Sequence, residues 1–423
     1  MRAPILAIAV VWAVGAGCDG GDGPVEAPIR IEAGLDAVVL DASAPDVERL
    51  LDVAVDVAVD AAPDAVVDAA VDAAVDAGPP GPARVLDLGE HLPGELFNFA
   101  VPAGFDAMLI TGRGAPAGLY AVVDVTGPGG SLVGATPTAG PLRTTFNPEV
   151  AVALLPNTGE AADALVAGDY TARVVSAGPD ARPVQVEVWL TGGLGTSLRV
   201  NLLLPPATGR LPDEPAVTAM ARALEGQLAA AFDLAAVEAV PALLDEMAPA
   251  DLVLDSAAGD LSGLDELAAA ATADYGDGLD VYLVDHISDG PNAQSGFSGG
   301  LPAPVGARGT AAAVLAVRTP LLDGFPDAVA DLAVHELGHA LGLYHTTEPR
   351  ADRHDPIADT AECPLACDTD GDGIVFAREC GARGRGEAPC LGADNLMFWT
   401  LGGLRDTTPG QRRVVRSHPA VAR

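Results

Sequence analysis

The run "HELGHALGLYH" at 335–345 holds three histidines and a glutamate within eleven residues. In a helix, residues i and i+4 lie one above the other, so His335 and His339 present their imidazoles on one face. Both rings can then reach one zinc ion, at about 2.0–2.1 Å per nitrogen. Gly342 tolerates positive φ, lets the chain leave the helix sharply, and allows the turn to return His345 as a third ligand. The fourth position stays open for water, as catalytic zinc requires. Glu336 sits beside the first ligand and points to the flank of that face. There it can take a proton from the water instead of occupying the metal. A bare HExxH arises by accident or on an ordinary surface helix. Gly342 and His345 at fixed spacing favour the metal site over a structural helix.

A second constellation follows at 368–379, "DTDGDGIVFARE". Asp368, Asp370, Asp372, Gly373 and Glu379 fit the spacing of a calcium loop, and the Ile374 carbonyl could add a ligand oxygen. Phe376 stands where a polar residue is usual and no helix pair flanks the loop, so a plain acidic turn is the alternative. Cys363, Cys367, Cys380 and Cys390 bracket this segment. Outside the cytosol they should form two disulfides, with three pairings open. A four-thiolate zinc site is the rival, but the paired CxxC of a zinc knuckle is missing. His286, in "VDHI", ends a strand run and should make a local hydrogen bond. His91, His354 and His418 stand at no ligand spacing.

These groups need a scaffold. Hydrophobic periodicity and turn residues divide the chain near 197. Residues 84–196 carry short apolar runs between glycines and prolines, among them "FDAMLITG", "GLYAVVDVTG", "EVAVALL", "GDYTARVVSAG" and "PVQVEVWLTG". They predict an all-β sandwich with Trp189 in its core. From 197 strands and helices alternate. "SLRVNLLLP", "DLVLD", "GLDVYLVDHI" and "GTAAAVLAV" read as strands; 215–232, 263–275 and 325–343 read as helices. The expected class is α/β, a mixed sheet with helices packed against it. "TTPGQ" starts a last helix with Thr408 as N-cap, Pro409 at N1 and Gln411 at N3. The arginines that follow should cover the acidic body.

At 423 residues and a formal charge of −36, with no lysine, the chain lacks the basic surface that nucleic acid requires. Met1-Arg2 and the apolar "ILAIAVVWAVGAG" read as an export signal over residues 1–18, too short to be a confident membrane span. Small residues before Cys18 resemble a bacterial lipoprotein cleavage site, with Gly15 where leucine is commoner. Acylation at Cys18 would anchor the chain to a membrane; simple secretion is the alternative. Residues 19–83 repeat aspartate every four positions between 52 and 76, a like-charge pattern that weakens a helix and reads as an acidic spacer.

The zinc motif resembles the signature of the metzincin metallopeptidases. The resemblance implies a metzincin-type catalytic domain over 197–423 with a cysteine-rich insertion at 346–393. It assigns the ligands to His335, His339 and His345 and the general base to Glu336. It also makes Met397, in "DNLMFW", the methionine of a turn that floors the zinc. "HTTE" after the third histidine, "DPIADTAEC" and the cysteine-bearing insertion look nearest to the pappalysin-like group. Trp399 stands where some metzincins carry a tyrosine near zinc, so no tyrosine role transfers. The sandwich looks like the jelly-roll accessory domains of secreted bacterial peptidases, and either accompanies the catalytic domain or is removed as a pro-segment. The implied function is endopeptidase cleavage of a protein or peptide laid along an edge strand near 295–304. The alternative is an inactive adhesion or peptide-binding protein that keeps zinc as a structural clip.

Overall fold

The computed structural model describes residues 83–423 except 115–117, 138–141, 178–181, 245–247, 255–261, 272–274, 276–277, 290–291, 306–311, 318, 382–389 and 401–405. Cys18, the apolar leader and the repeated aspartates lie outside the described residues. Among the described residues no helix is long and apolar enough to cross a membrane.

The first strands are β1 (Arg84–His91), β2 (Leu96–Val101), β3 (Ala107–Arg113), β4 (Leu119–Gly127), β5 (Gly130–Ser131), β6 (Asn147–Pro148), β7 (Val150–Leu155), β8 (Gly168–Ser176) and β9 (Val184–Thr191). They form two antiparallel sheets, β1-β9-β3-β7 and β2-β8-β4-β5, with β6 paired to β4. Side chains alternate across a strand. In β9, Val184, Val186, Val188 and Leu190 therefore enter the core between the sheets, while Gln185 and Glu187 point away. The strand β7, "VAVALL", has no polar side because both its faces are covered. Ala151, Ala153 and Leu155 enter the sandwich core; Val150, Val152 and Leu154 enter the core of the following unit. In β3, Ile110 and Leu109 divide in the same way. Trp189 is half-buried against this shared core rather than inside the sandwich.

The second unit runs β10 (Ser197–Leu204), α1 (Pro215–Phe232), β11 (Ala236–Leu243), β12 (Asp251–Leu254), α2 (Ser262–Ala270), β13 (Leu279–Val284), β14 (His286–Asp289), β15 (Asn292–Gln294), β16 (Gly296–Ser298), β17 (Ala312–Ala316), α3 (Thr319–Gly324), α4 (Pro326–Ala340) and α5 (Pro409–Ser417). The mixed α/β class is observed. The main sheet has the order β11-β10-β13-β17-β16, parallel apart from the last pair, and a smaller sheet joins β12, β14 and β15. Met220, Leu224 and Leu228 of α1 share a core with Val329, Ala333 and Leu337 of α4.

Three details differ from the sequence reading. The strand β11 was not among the expected strands, and it contains Pro241. It lies at the sheet edge and, among the described residues, pairs only with β10, where a missing N–H is tolerated. "GLDVYLVDHI" is two strands in different sheets, broken at Asp285. Helix α2 covers only the first part of the predicted 263–275.

Candidate metal centre

Helix α4 starts on Pro326 at its first position and ends on a Schellman turn. The Leu343 amide donates to the Gly338 carbonyl and the Gly342 amide to the His339 carbonyl, each at 2.9 Å, with Gly342 at φ +101°. Gly342 answers a second demand as well. A Cβ there would stand 2.8 Å from Leu154 Cδ2, so the sandwich strand β7 presses directly on the turn that brings His345 round.

His335, His339 and His345 meet, with their candidate ligand nitrogens all within 4.8 Å of one another. All three are buried. Each ring is held from behind through Nδ1–H. His335 donates to the Leu396 carbonyl (2.7 Å), His339 to the Leu343 carbonyl (2.7 Å) and His345 to Glu348 Oε2 (3.0 Å). A neutral imidazole protonated at Nδ1 presents a bare lone pair at Nε2. The Nε2 atoms of His339 and His345 lie 3.1 Å apart, and His335 Nε2 is buried without a hydrogen-bond partner among the described residues. Two acceptor lone pairs at that distance repel each other unless a proton or a metal cation lies between them. Tetrahedral zinc at its usual bond lengths spaces two ligand nitrogens by about 3.3 Å. The donor set and its spacing fit the ion. Burial, with the neighbouring His339 and His345 adding to it, drives the His335 pKa well below that of a free imidazole and keeps the ring neutral, the form that ligates.

Glu336 is fully buried, on the flank of α4 that faces β16. A Cβ on Gly296 would lie 2.3 Å from Glu336 Oε1, so the bare backbone of the edge strand is what gives this carboxylate room. Gly338 does the same for the expected methionine: its Cβ would meet Met397 Sδ at 2.5 Å. Met397 is buried against helix α4, and its carbonyl accepts the Thr346 amide (2.9 Å) just past His345. Gly296, Gly338, Glu348 and Asn395 are site neighbours that the sequence reading did not single out. Gly296, Gly338 and Asn395 are defined by contacts to distant segments, whereas Glu348 stands only three residues from His345, within the "HTTE" run.

Trp399 serves the insertion and not the metal face. Its indole N–H donates to the Val375 carbonyl (2.5 Å), and its ring packs on Phe376. That contact explains the apolar residue in the acidic loop. The cysteine pairing is Cys363–Cys380 and Cys367–Cys390. Two disulfides suit an extracellular or periplasmic compartment.

Carboxylates of Asp368, Asp370 and Asp372 gather within 4.8 Å. Glu379 stands apart from them: it accepts from Thr369 N, Thr369 Oγ1 and Phe376 N, all at 2.8–2.9 Å. The Gly373 and Gly371 amides donate to Asp368 and hold its carboxyl below the usual range, and Arg378 pairs with Asp370.

The remaining histidines make hydrogen bonds outside this cluster, and for His286 the partner is on a neighbouring strand and not local in the chain. His286 is exposed and bonds Asp251 (2.9 Å), His354 bonds the Thr346 carbonyl (3.2 Å) and His91 the Leu88 carbonyl (3.2 Å). His418 is buried on the Ala303 carbonyl (3.0 Å), with burial pushing its pKa down to about 4. The terminal arginines turn inward as expected: Arg412 onto the Ala231 carbonyl, Arg416 onto Gly195 and Asp233, and Arg423 onto Gly192.

No protein-family model and no curated protein matches the chain. Among solved structures, metalloproteinase-II from Bacteroides fragilis aligns at 14% identity and a TM-score of 0.26, covering 40% of this chain. The match spans about half of that structure (54%), a likeness too slight to inform fold or activity.

Proposed function

We propose that the chain is a zinc-dependent endopeptidase with a metzincin-like site. The observation that carries this reading is the convergence of three Nε2 atoms, two of them 3.1 Å apart, with every Nδ1 committed elsewhere. His335, His339 and His345 would hold the ion. When bound, zinc supplies Lewis acidity toward the scissile carbonyl and lowers the pKa of a water. Glu336, beside His335 and outside the ligand set, takes the proton of the attacking water and returns it to the leaving amine. Burial of the rings and the carboxylate keeps bulk water from competing for these groups. The strand β16 ends the main sheet next to Glu336, a geometry that suits an extended peptide added at that edge. A purely structural zinc has no use for a base in this position.

The disulfides accord with export, and acylation at Cys18 would tether the enzyme to a membrane. Calcium in the 368–379 loop is proposed only for Asp368, Asp370 and Asp372 with the Ile374 carbonyl, Glu379 being committed to the loop's own amides.

Glu336→Gln tests the assignment. The variant should retain one zinc per chain and lose at least about 100-fold in cleavage of an unfolded protein, the usual contribution of a general base. Wild-type cleavage by the variant, or cleavage by the native protein that survives removal of metal with a chelator, would refute the mechanism.

A further inference from the structure

Resting on the zinc reading above, we propose that Glu348 is a positioning residue for the metal: a buried carboxylate that fixes the His345 tautomer and strengthens its Nε2 as a donor. The three ligands differ in what stands behind them. His335 and His339 lean on main-chain carbonyls, which any sequence would supply. His345 alone leans on a side chain, at 3.0 Å, with both groups almost sealed from solvent, 3% and 10% exposed. A carboxylate accepting Nδ1–H raises the basicity of the opposite nitrogen more than a neutral carbonyl does, because it stabilises positive charge on the ring. It also brings one negative charge toward a site built of imidazoles, which bind a metal in their uncharged form.

The third ligand needs this help most. His335 and His339 are carried by the helix, whereas His345 lies beyond its end, past the turn. Glu348 is itself held in place. Its amide donates to the Arg353 carbonyl (3.1 Å), and its carbonyl accepts the Ala351 amide (2.8 Å) in a tight turn with Ala351 at φ +53°. The insertion braces that turn from outside. The Val375 amide donates to the Pro349 carbonyl (2.8 Å), and the Cys363 amide to Thr347 Oγ1 (2.9 Å). The disulfide-pinned insertion therefore reaches the metal site through Glu348.

The test uses the full chain and metal ions alone. Zinc affinity is measured by competition with a chromophoric chelator for the wild type, E348Q and E348A, with far-UV circular dichroism as the control for folding. Gln still accepts Nδ1–H but carries no charge, so it isolates the charge; Ala removes both. Zinc affinity should fall about 10-fold in E348Q and about 100-fold in E348A, the range typical of a lost outer partner. In the Co²⁺-loaded proteins the visible absorption bands of E348Q should shift at unchanged intensity, reporting a weaker third imidazole in the same coordination number. Unchanged affinity and unchanged bands in folded E348Q would overturn the proposal. So would zinc loss accompanied by loss of the native dichroism in both variants, which would make Glu348 a folding residue only. A wild-type chain that binds no zinc would instead overturn the metal reading on which the proposal stands.

Discussion

Asp355 shows how a single buried carboxyl ties this site's surroundings to pH. Burial raises its pKa from 3.8 to about 7, against the opposing hydrogen bonds from Thr360 and Ile357 and the charge of Arg143. Asp359 adds to the upward shift, and Asp355 Oδ2 has no hydrogen-bond partner. A carboxyl whose folded-state pKa exceeds its unfolded value binds more protons when folded. Its favourable contribution is therefore complete below about pH 4 and is lost as the pH rises through 7. Asp355→Asn removes the charge and keeps an oxygen to accept from Thr360. Urea unfolding of the metal-free chain should find this variant more stable than the wild type at pH 8, by about 2–4 kcal/mol, and indistinguishable near pH 4. An effect of equal size at both pH values would mean that ionisation of Asp355 is not its cause.

At the scale of elements, the cap of one helix and the Asn395–Met397 turn beside the histidine cluster form one network. Helix α5 begins with the expected capping box: Thr408 accepts the Gln411 amide, and the Gln411 side chain accepts the Thr408 amide. The same Gln411 exchanges two hydrogen bonds with Asn395, at 2.9 and 3.0 Å. Asn395 Oδ1 in turn accepts the Met397 amide (2.8 Å), while the intervening Leu396 carbonyl receives His335 Nδ1–H. Gln411→Leu should therefore cost about 2–4 kcal/mol, one arm of a cap plus a buried amide left without its partner, and should lower zinc affinity. Thr408→Ala removes only the cap and should cost about 1 kcal/mol with zinc binding intact. Equal losses in the two variants, read from denaturant midpoints, would dissolve the proposed link. The capping box was legible in the sequence because its partners are three residues apart, as were the ligand spacing and the 3.6-residue pattern of α1 and α4. The Gln411–Asn395 bond was not, nor the approach of Gly296 to Glu336, nor the cysteine pairing. Each joins segments whose proximity only the folded chain decides. The strand β11 carries Pro241, a residue that a strand tolerates at a sheet edge, and which strand takes the edge is decided by the folded sheet.

For the whole molecule, the two halves are less separable than their sequence patterns suggest. Leu109, Val150, Val152 and Leu154 of the sandwich lie in one core with Leu341 and Leu343 of the metal-site turn and Val414 of α5. Polar ties run alongside. Tyr344 Oη donates to the Arg143 carbonyl (3.2 Å), Arg143 to the His354 carbonyl (3.0 Å), Thr191 to the Ser417 carbonyl (2.9 Å), and the Leu301 amide to Asn147 (3.0 Å). Burying four such aliphatic side chains is worth about 6–12 kcal/mol. That is as much as the total stability of an ordinary domain, about 5–15 kcal/mol. We therefore propose that residues 84–196 are a retained wall of the unit that carries the histidine cluster, and not a pro-segment whose departure frees it. The 197–423 fragment made alone should fail to give a soluble, zinc-binding monomer. An 84–423 chain should unfold in a single calorimetric transition that coincides with loss of near-UV dichroism. If that chain is nicked between Thr191 and Ser197, its halves should stay together on a sizing column until denaturant is added. Two well-separated transitions, or a 197–423 fragment with the full chain's zinc affinity and peptidase rate, would show that the shared core is dispensable and that the sandwich is the detachable accessory its sequence resembles.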